Sequence, residues 1–122
     1  AEMLGLKLDE HGAAVWLVNT GWTGGPFGEG ERMPIAATRS LLHAALSGQL
    51  EDVDYREDEV FGFQVPVGVP GVEPKLLDPR STWTDPARYD EKALELARMF
   101  QENFQKFAAD APGEVVLAGP RV

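Results

Sequence analysis

Ala13-Ala14-Val15-Trp16-Leu17-Val18-Asn19-Thr20-Gly21-Trp22-Thr23-Gly24-Gly25-Pro26-Phe27-Gly28-Glu29-Gly30-Glu31 is the stretch whose reading sets the fold class. Ala13 to Val18 is the longest uninterrupted apolar run in the chain, with the length and composition of a strand covered on both faces. Asn19 to Glu31 then carries five glycines directly after it. Loops at the carboxyl end of a strand are where open α/β sheets place their ligands. By spacing alone this loop is either a ligand loop or a plain structural turn. Trp22 and Phe27 either serve binding or tuck into a core, since aromatic rings left exposed on a glycine loop cost free energy.

Outward from that stretch the pattern is helical on both sides. Before it, Met3, Leu4 and Leu8 share a stripe with Leu6 off it, and Gly12 stands where a helix stops. A helix running into a covered strand implies an α/β layer. Ala1 and Glu2 open this helix in mid-pattern without an N-cap, which predicts a true start upstream. The rest of the chain offers little strand partner, so the Ala13–Val18 strand is expected to join a sheet made elsewhere. The chain therefore reads as a single partial domain over residues 1–122.

After the loop, Pro34 suits the first turn of a helix over Ile35–Ser47. Ile35, Leu41, Leu42, Ala45 and Leu46 form its inner stripe, and Gly48 its stop. Glu51 to Glu59 holds six acids and one base and reads as a solvated loop rather than a metal cluster. Val60 to Pro70 alternates with period two and reads as a strand or extended arm, which Pro66 confines to an edge. A single helical turn is expected near Pro74–Leu77. Asp85 before Pro86 is an N-cap followed by a first-position proline. The long amphipathic helix it opens places Tyr89, Ala93, Leu96, Phe100, Phe104 and Phe107 on a predicted core stripe and ends at Asp110–Gly113. Glu102 and Lys106 are spaced as a pair on this helix, and the tail has room for one more strand.

Composition narrows the function classes. A net charge of −9 over 122 residues argues against phosphate-backbone binding and against an anionic membrane surface. No apolar run approaches the roughly 18 residues of a membrane span. Cysteine is absent, which removes disulfides, thiolate metal sites and cysteine nucleophiles and fits a reducing, cytoplasmic setting. The 13 glycines and 9 prolines predict much loop.

No catalytic group stands out. The glycine loop lacks the G-x-x-x-x-G-K-[ST] pattern of a phosphate cradle, Glu29 and Glu31 would repel an anion, and the only nearby cation is Arg32. His11 and His43 lack ligand spacing and read as structural or solvated. Ser40, Ser47 and Ser81 lie outside any nucleophile elbow.

Val15-Trp-Leu-Val-Asn-Thr-Gly-Trp-Thr-Gly-Gly followed by Gly30-Glu-Arg-Met-Pro-Ile-Ala-Ala-Thr-Arg resembles the C-terminal region of the ATP-dependent phosphoenolpyruvate carboxykinases. The likeness continues through Val65-Pro, Pro70-Gly-Val-Glu-Pro-Lys-Leu-Leu-Asp-Pro-Arg-Ser-Thr-Trp, the helix bearing Phe100, Asn103, Phe104 and Phe107, and Ala118-Gly-Pro, so it covers nearly the whole chain in order. The resemblance implies the C-terminal part of a mononucleotide-binding, mixed-sheet α/β domain that ends in a long amphipathic helix. The implied gluconeogenic enzyme converts oxaloacetate and ATP to phosphoenolpyruvate, carbon dioxide and ADP, with Mg²⁺ on the nucleotide and Mn²⁺ at a second site.

The family's phosphate-binding lysine, metal ligands and oxaloacetate-binding arginine lie upstream of the matched region, so the resemblance implies no catalytic residue and no metal ligand here. It also implies that this portion alone is inactive and that its partner is the upstream part of the same polypeptide. Arg32 and Met33 match the family's arginine and apolar pair bordering the nucleotide, and Thr38 matches its threonine in the same pocket. A guanidinium can stack on a purine or bond a ribose or phosphate oxygen, and a threonine hydroxyl can bond a base edge. The alternative readings are an ordinary surface arginine for Arg32 and a cap or first-turn residue for Thr38. The chain departs from the family pattern at Glu31, where many relatives carry lysine, and at Ala36 or Ala37, where they carry a charged residue. The rival class is a free-standing, non-catalytic, acidic protein-interaction module, which would fold cooperatively alone.

Overall fold

The computed structural model describes residues 2–122, with side-chain exposure from residue 3 onward, so the expectation about the opening at Ala1 lies outside the described residues. Among the described residues, five α-helices, a 3-10 turn and two small sheets make a mixed α and β chain. Helix α1 (Glu2–His11) stops where Gly12 takes a φ of +59° and its N–H bonds the Leu8 carbonyl at 2.8 Å. The Ala13–Val18 strand is not formed. Residues 13–20 carry no regular structure, and among the described residues no strand pairs with them. A strand is defined by its neighbour's backbone groups, and apolar composition cannot supply one. Both sheets are antiparallel pairs, so the described residues form no mixed sheet.

The first ribbon joins β1 (Trp22–Thr23) to β2 (Glu31–Arg32), and α2 (Ile35–Leu46) follows after Pro34. The buried face of α2 is Ala37 and Ala44, flanked by half-buried Leu41 and Ala45. Ile35, Leu42 and Leu46 of the predicted stripe are exposed, Leu46 at 87%. The small residues face the core because the layer beneath α2 is thin: Leu50, Val69, Val72 and Leu77 complete it, with Trp16, Met33 and Val53 at its margin.

The acidic segment contains a strand. Tyr55–Glu57 (β3) pairs with Gln64–Pro66 (β4), with Tyr55 opposite Pro66. Asp58 explains how an acid-rich stretch turns so tightly: its Oδ1 accepts the backbone N–H groups of Val60 and Phe61 at 3.1 and 2.6 Å. The predicted turn at Pro74–Leu77 is a 3-10 turn, continued by α3 (Pro79–Thr82).

Helix α4 (Pro86–Phe104) starts at Asp85, whose carboxylate accepts the Ala87 N–H at 3.0 Å. It buries Ala93 and Ala97, and Tyr89, Gln101 and Phe104 are half-buried on the same side. Leu96, Phe100 and Phe107 of the predicted stripe are exposed, Phe100 at 54%, although Phe100 meets Phe61 edge-to-face at 6.3 Å. The helix closes at Phe104, not at Asp110, because the N–H groups of Lys106 and Phe107 bond carbonyls three residues back and tighten the chain out of the α-helix. Lys106 consequently bonds Asn103 at 3.0 Å rather than Glu102. The tail forms α5 (Gly113–Leu117) instead of a strand.

The accessible surface is 9237 Å², whereas a compact monomer of 13.3 kDa exposes roughly 6,500 Å². That excess is why so many large apolar side chains face outward, including Met3, Leu4, Leu6, Val15 and Leu17.

Candidate functional site

The glycine-rich segment folds as a tight hairpin with Trp22 opposite Arg32 and Thr23 opposite Glu31, closed by the Met33 N–H on the Gly21 carbonyl at 3.0 Å. At its tip the Pro26 carbonyl accepts the N–H groups of Glu29 and Gly30, each at 3.0 Å. Gly30 must be glycine, since a Cβ there would lie 2.5 Å from the Thr23 oxygen and 2.7 Å from the Gly25 oxygen, both backbone atoms. The missing side chain lets the two arms approach.

The aromatic residues neither enter the core nor stand apart. The Phe27 ring meets Trp22 edge-to-face at 5.2 Å, and the Arg32 guanidinium lies over the Trp22 ring at 5.7 Å. Phe27 remains 84% exposed. Among the described residues Arg32 forms no ion pair, so its donors face solvent from the end of β2. Met33, next in the chain, is half-buried against the α2 core. Thr38 sits in the first turn of α2, its Oγ1 3.5 Å from the Pro34 carbonyl, and no hydrogen bond joins it to Arg32 among the described residues. The structure thus brings Arg32 to Trp22 and Met33 to the α2 core, and places Thr38 in the first turn of α2.

Two contacts from far along the chain hold the hairpin. The Gly24 N–H donates to Thr82 Oγ1 at 3.0 Å, and the Thr82 hydroxyl donates to the Pro79 carbonyl at 2.6 Å. Arg88, in the first turn of α4, donates from both terminal nitrogens to the two oxygens of Glu29 at 2.5 and 2.7 Å. Those hydrogen bonds hold the Glu29 carboxyl below the ordinary 4.5 and push the Arg88 guanidinium up. The supporting corner is itself tied: Arg80 donates twice to Asp90 at 2.8 and 2.9 Å, which lowers the Asp90 carboxyl, and Trp83 packs edge-to-face on Tyr89 at 5.6 Å. Sequence reasoning missed Thr82, Arg88 and the role of Glu29. The partners are 58 and 59 residues apart, and no local spacing rule reaches that far.

Thr23, Glu29, Glu31, Lys75 and Thr82 border an open cleft of about 340 Å³ beside the hairpin. Arg32, Met33 and Thr38 do not line it. His43 is exposed, and His11 lies 3.8 Å from Glu10, also exposed. The Ser47 hydroxyl donates to the Ala44 carbonyl of α2 and the Ser81 hydroxyl to the Asp78 carbonyl at the start of α3. Among the described residues no three His, Cys, Asp or Glu side chains converge as a metal site, and no helix is long and apolar enough to cross a membrane.

The arrangement is that of a mixed α and β chain presenting a glycine hairpin with a solvent-facing arginine on an aromatic ring. Comparison with known proteins gives that class a family. The phosphoenolpyruvate carboxykinase family matches residues 1–75. The chain is 60% identical over 121 residues to the phosphoenolpyruvate carboxykinase (ATP) of Thermus thermophilus, covering 99% of this chain and 23% of that protein. It is 62% identical over 117 residues to the protein of the same name from Paracoccus denitrificans, covering 96% of this chain and 22% of that one. This chain belongs to the phosphoenolpyruvate carboxykinase family. It spans under a quarter of the length of these relatives.

Proposed function

We propose that the chain is the C-terminal portion of an ATP-dependent phosphoenolpyruvate carboxykinase, a partial mononucleotide-binding domain that supplies part of the ATP base and ribose pocket. The observation that carries this reading is the 60% identity to a protein of that name across 99% of the chain, glycine hairpin and helix α2 included. The complete enzyme decarboxylates oxaloacetate to an enolate, and the enolate oxygen takes the γ-phosphoryl group of ATP, giving phosphoenolpyruvate, carbon dioxide and ADP in a gluconeogenic, cytoplasmic step.

Within that reaction this chain binds and orients. Arg32 has free donors for a ribose or phosphate oxygen and a cationic plane for a purine face. Its seat on Trp22 restrains the side chain before nucleotide arrives, which lowers the entropy lost on binding. Met33 supplies an apolar edge, and the Thr38 hydroxyl supplies a donor or acceptor for the base. Divalent metal, Mg²⁺ on the nucleotide and Mn²⁺ at a second site, neutralises phosphate charge when bound. Arg32, Met33 and Thr38 together offer no carboxylate or imidazole for a metal, and the family resemblance puts its ligands in the upstream part of the polypeptide.

The outward-facing apolar surface supports that same partner. Phe100 and Phe107 are more than half exposed, an apolar surface that the upstream part of the polypeptide would cover.

The test is Arg32→Ala in the full polypeptide, with both substrates titrated in the phosphoenolpyruvate-forming direction. The expected outcome is a KM for ATP raised about tenfold, the loss of one charged contact of roughly 1.4 kcal/mol, with the KM for oxaloacetate within twofold of the parent. Equal effects on both substrates, or none, remove Arg32 from the nucleotide site.

A further inference from the structure

The hairpin that carries Arg32 is too small to fix its own place. Its arms are two residues each, and an isolated two-stranded ribbon is marginal in water. Its tip is glycine-rich, with Gly24 and Gly28 at φ of +78° and +92°. What locates it is the corner between α3 and α4. There Thr82 receives the Gly24 N–H and Arg88 grips both oxygens of Glu29.

The placement of Arg88 points the same way. An arginine in the first turn of a helix meets the positive end of the helix dipole, which disfavours it unless an anion lies close. The Asp85 cap already supplies one carboxylate at the start of α4, and Glu29 brings from the hairpin the one that Arg88 grips directly. The anchor is itself tied, because the double Arg80–Asp90 pair joins α3 to α4 and the Asp85 cap closes the first turn of α4.

We infer that Arg88, assisted by Thr82, is a positioning residue for the nucleotide site: through Glu29 it holds the glycine hairpin so that β2 presents Arg32 in the orientation that ATP requires. The inference rests on the proposed nucleotide role of Arg32, and neither Arg88 nor Thr82 touches the nucleotide in it.

The experiment compares Arg32→Ala, Arg88→Ala, Arg88→Lys and the charge-swapped pair Glu29→Arg with Arg88→Glu, all in the full polypeptide, with KM for ATP, KM for oxaloacetate and kcat measured for each. Arg88→Ala is expected to raise the KM for ATP about threefold, the scale of one exposed ion pair, and to leave kcat and the KM for oxaloacetate within about 1.5-fold. Arg88→Lys, which keeps the charge and loses the fork, should fall between parent and Arg88→Ala. The swapped pair should return most of the ATP affinity, and about 0.5 M salt should shrink the difference between parent and Arg88→Ala.

A normal KM for ATP in Arg88→Ala beside a raised one in Arg32→Ala overturns the positioning role and leaves the nucleotide reading standing. No change in Arg32→Ala overturns both. A matched loss in both substrates and kcat, or a swapped pair no better than Arg88→Ala, also overturns the inference, since it marks a general structural role. If Arg88→Ala does not fold, Arg88→Lys and the swapped pair decide by the same split.

Discussion

The two antiparallel ribbons use the same hydrogen-bonding scheme but are attached to the molecule by different forces. The Tyr55–Glu57 and Gln64–Pro66 ribbon is closed by its own turn, where Asp58 accepts two backbone N–H groups and the Gly62 N–H returns to the Asp58 carbonyl at 2.9 Å. It is then backed by the core: Tyr55 stacks beside Trp16 at 6.2 Å and bonds the Leu50 carbonyl, and Arg56 donates to the Leu77 carbonyl at 2.8 Å. Among the described residues, the Trp22–Thr23 and Glu31–Arg32 ribbon meets the core only where Met33 leaves β2, and its glycine-rich tip is held by one hydroxyl and one guanidinium from beyond residue 80. The second ribbon carries exposed pairs as well, Arg56 to Asp78 at 3.4 Å and Glu57 to Arg121, but its core backing does not depend on salt. A ribbon held by exposed charge can be placed accurately yet shift at little cost, which suits a segment that must admit a ligand.

The largest break in that comparison is expected from Leu50→Ala. Leu50 is buried under the second ribbon, so the cavity should cost about 2 to 4 kcal/mol, read as a lowered thermal midpoint of the full polypeptide, with the KM for ATP unchanged in the protein that remains folded. Next is Gly30→Ala, which forces the arms of the first ribbon apart. It should cost about 1 to 3 kcal/mol and, unlike Leu50→Ala, raise the KM for ATP, because the strain lies between Thr23 and Gly25 beside Arg32.

The smallest effect concerns the charge clamp itself. Glu29 is held below 4.5 by Arg88, so the pair's contribution is full above that ordinary value and is lost as pH falls through the lower, folded one. Carboxyl NMR of ¹³C-labelled glutamate should show Glu29 titrating below 4.5 in the parent and returning to the ordinary range in Arg88→Ala. A Glu29 midpoint unmoved by that substitution would dissolve the contrast between the ribbons.

Much of the local structure was legible. Gly12 and Gly48 stop helices with φ of +59° and +75°, Asp85 and Pro86 start α4, and the single turn at Pro74–Leu77 is present. Each of these follows from the sterics or hydrogen bonding of a few neighbouring residues. Around the candidate site, the sequence singled out the glycine loop and Arg32, but the ring of Trp22 beneath Arg32 and the anchors at Thr82 and Arg88 were not foreseeable, because they depend on which surface the hairpin meets. The same limit explains the misjudged faces. Periodicity shows that α4 has an apolar side, yet Ala93 and Ala97 are buried while Leu96 and Phe100 are not, since the residues that go inside are those with something packed opposite.

The amino-acid sequence alone therefore determined where α1 and α2 stop, where α4 starts, and the family, all of which are properties of short stretches read in order. Tertiary structure decided that the apolar Ala13–Val18 run has no strand partner among the described residues, that the acidic segment makes a ribbon, and that a guanidinium 59 residues away holds the loop. The physical reason is range: backbone sterics act over a few bonds, whereas burial and ion pairing act through space and depend on whichever surface the chain brings opposite.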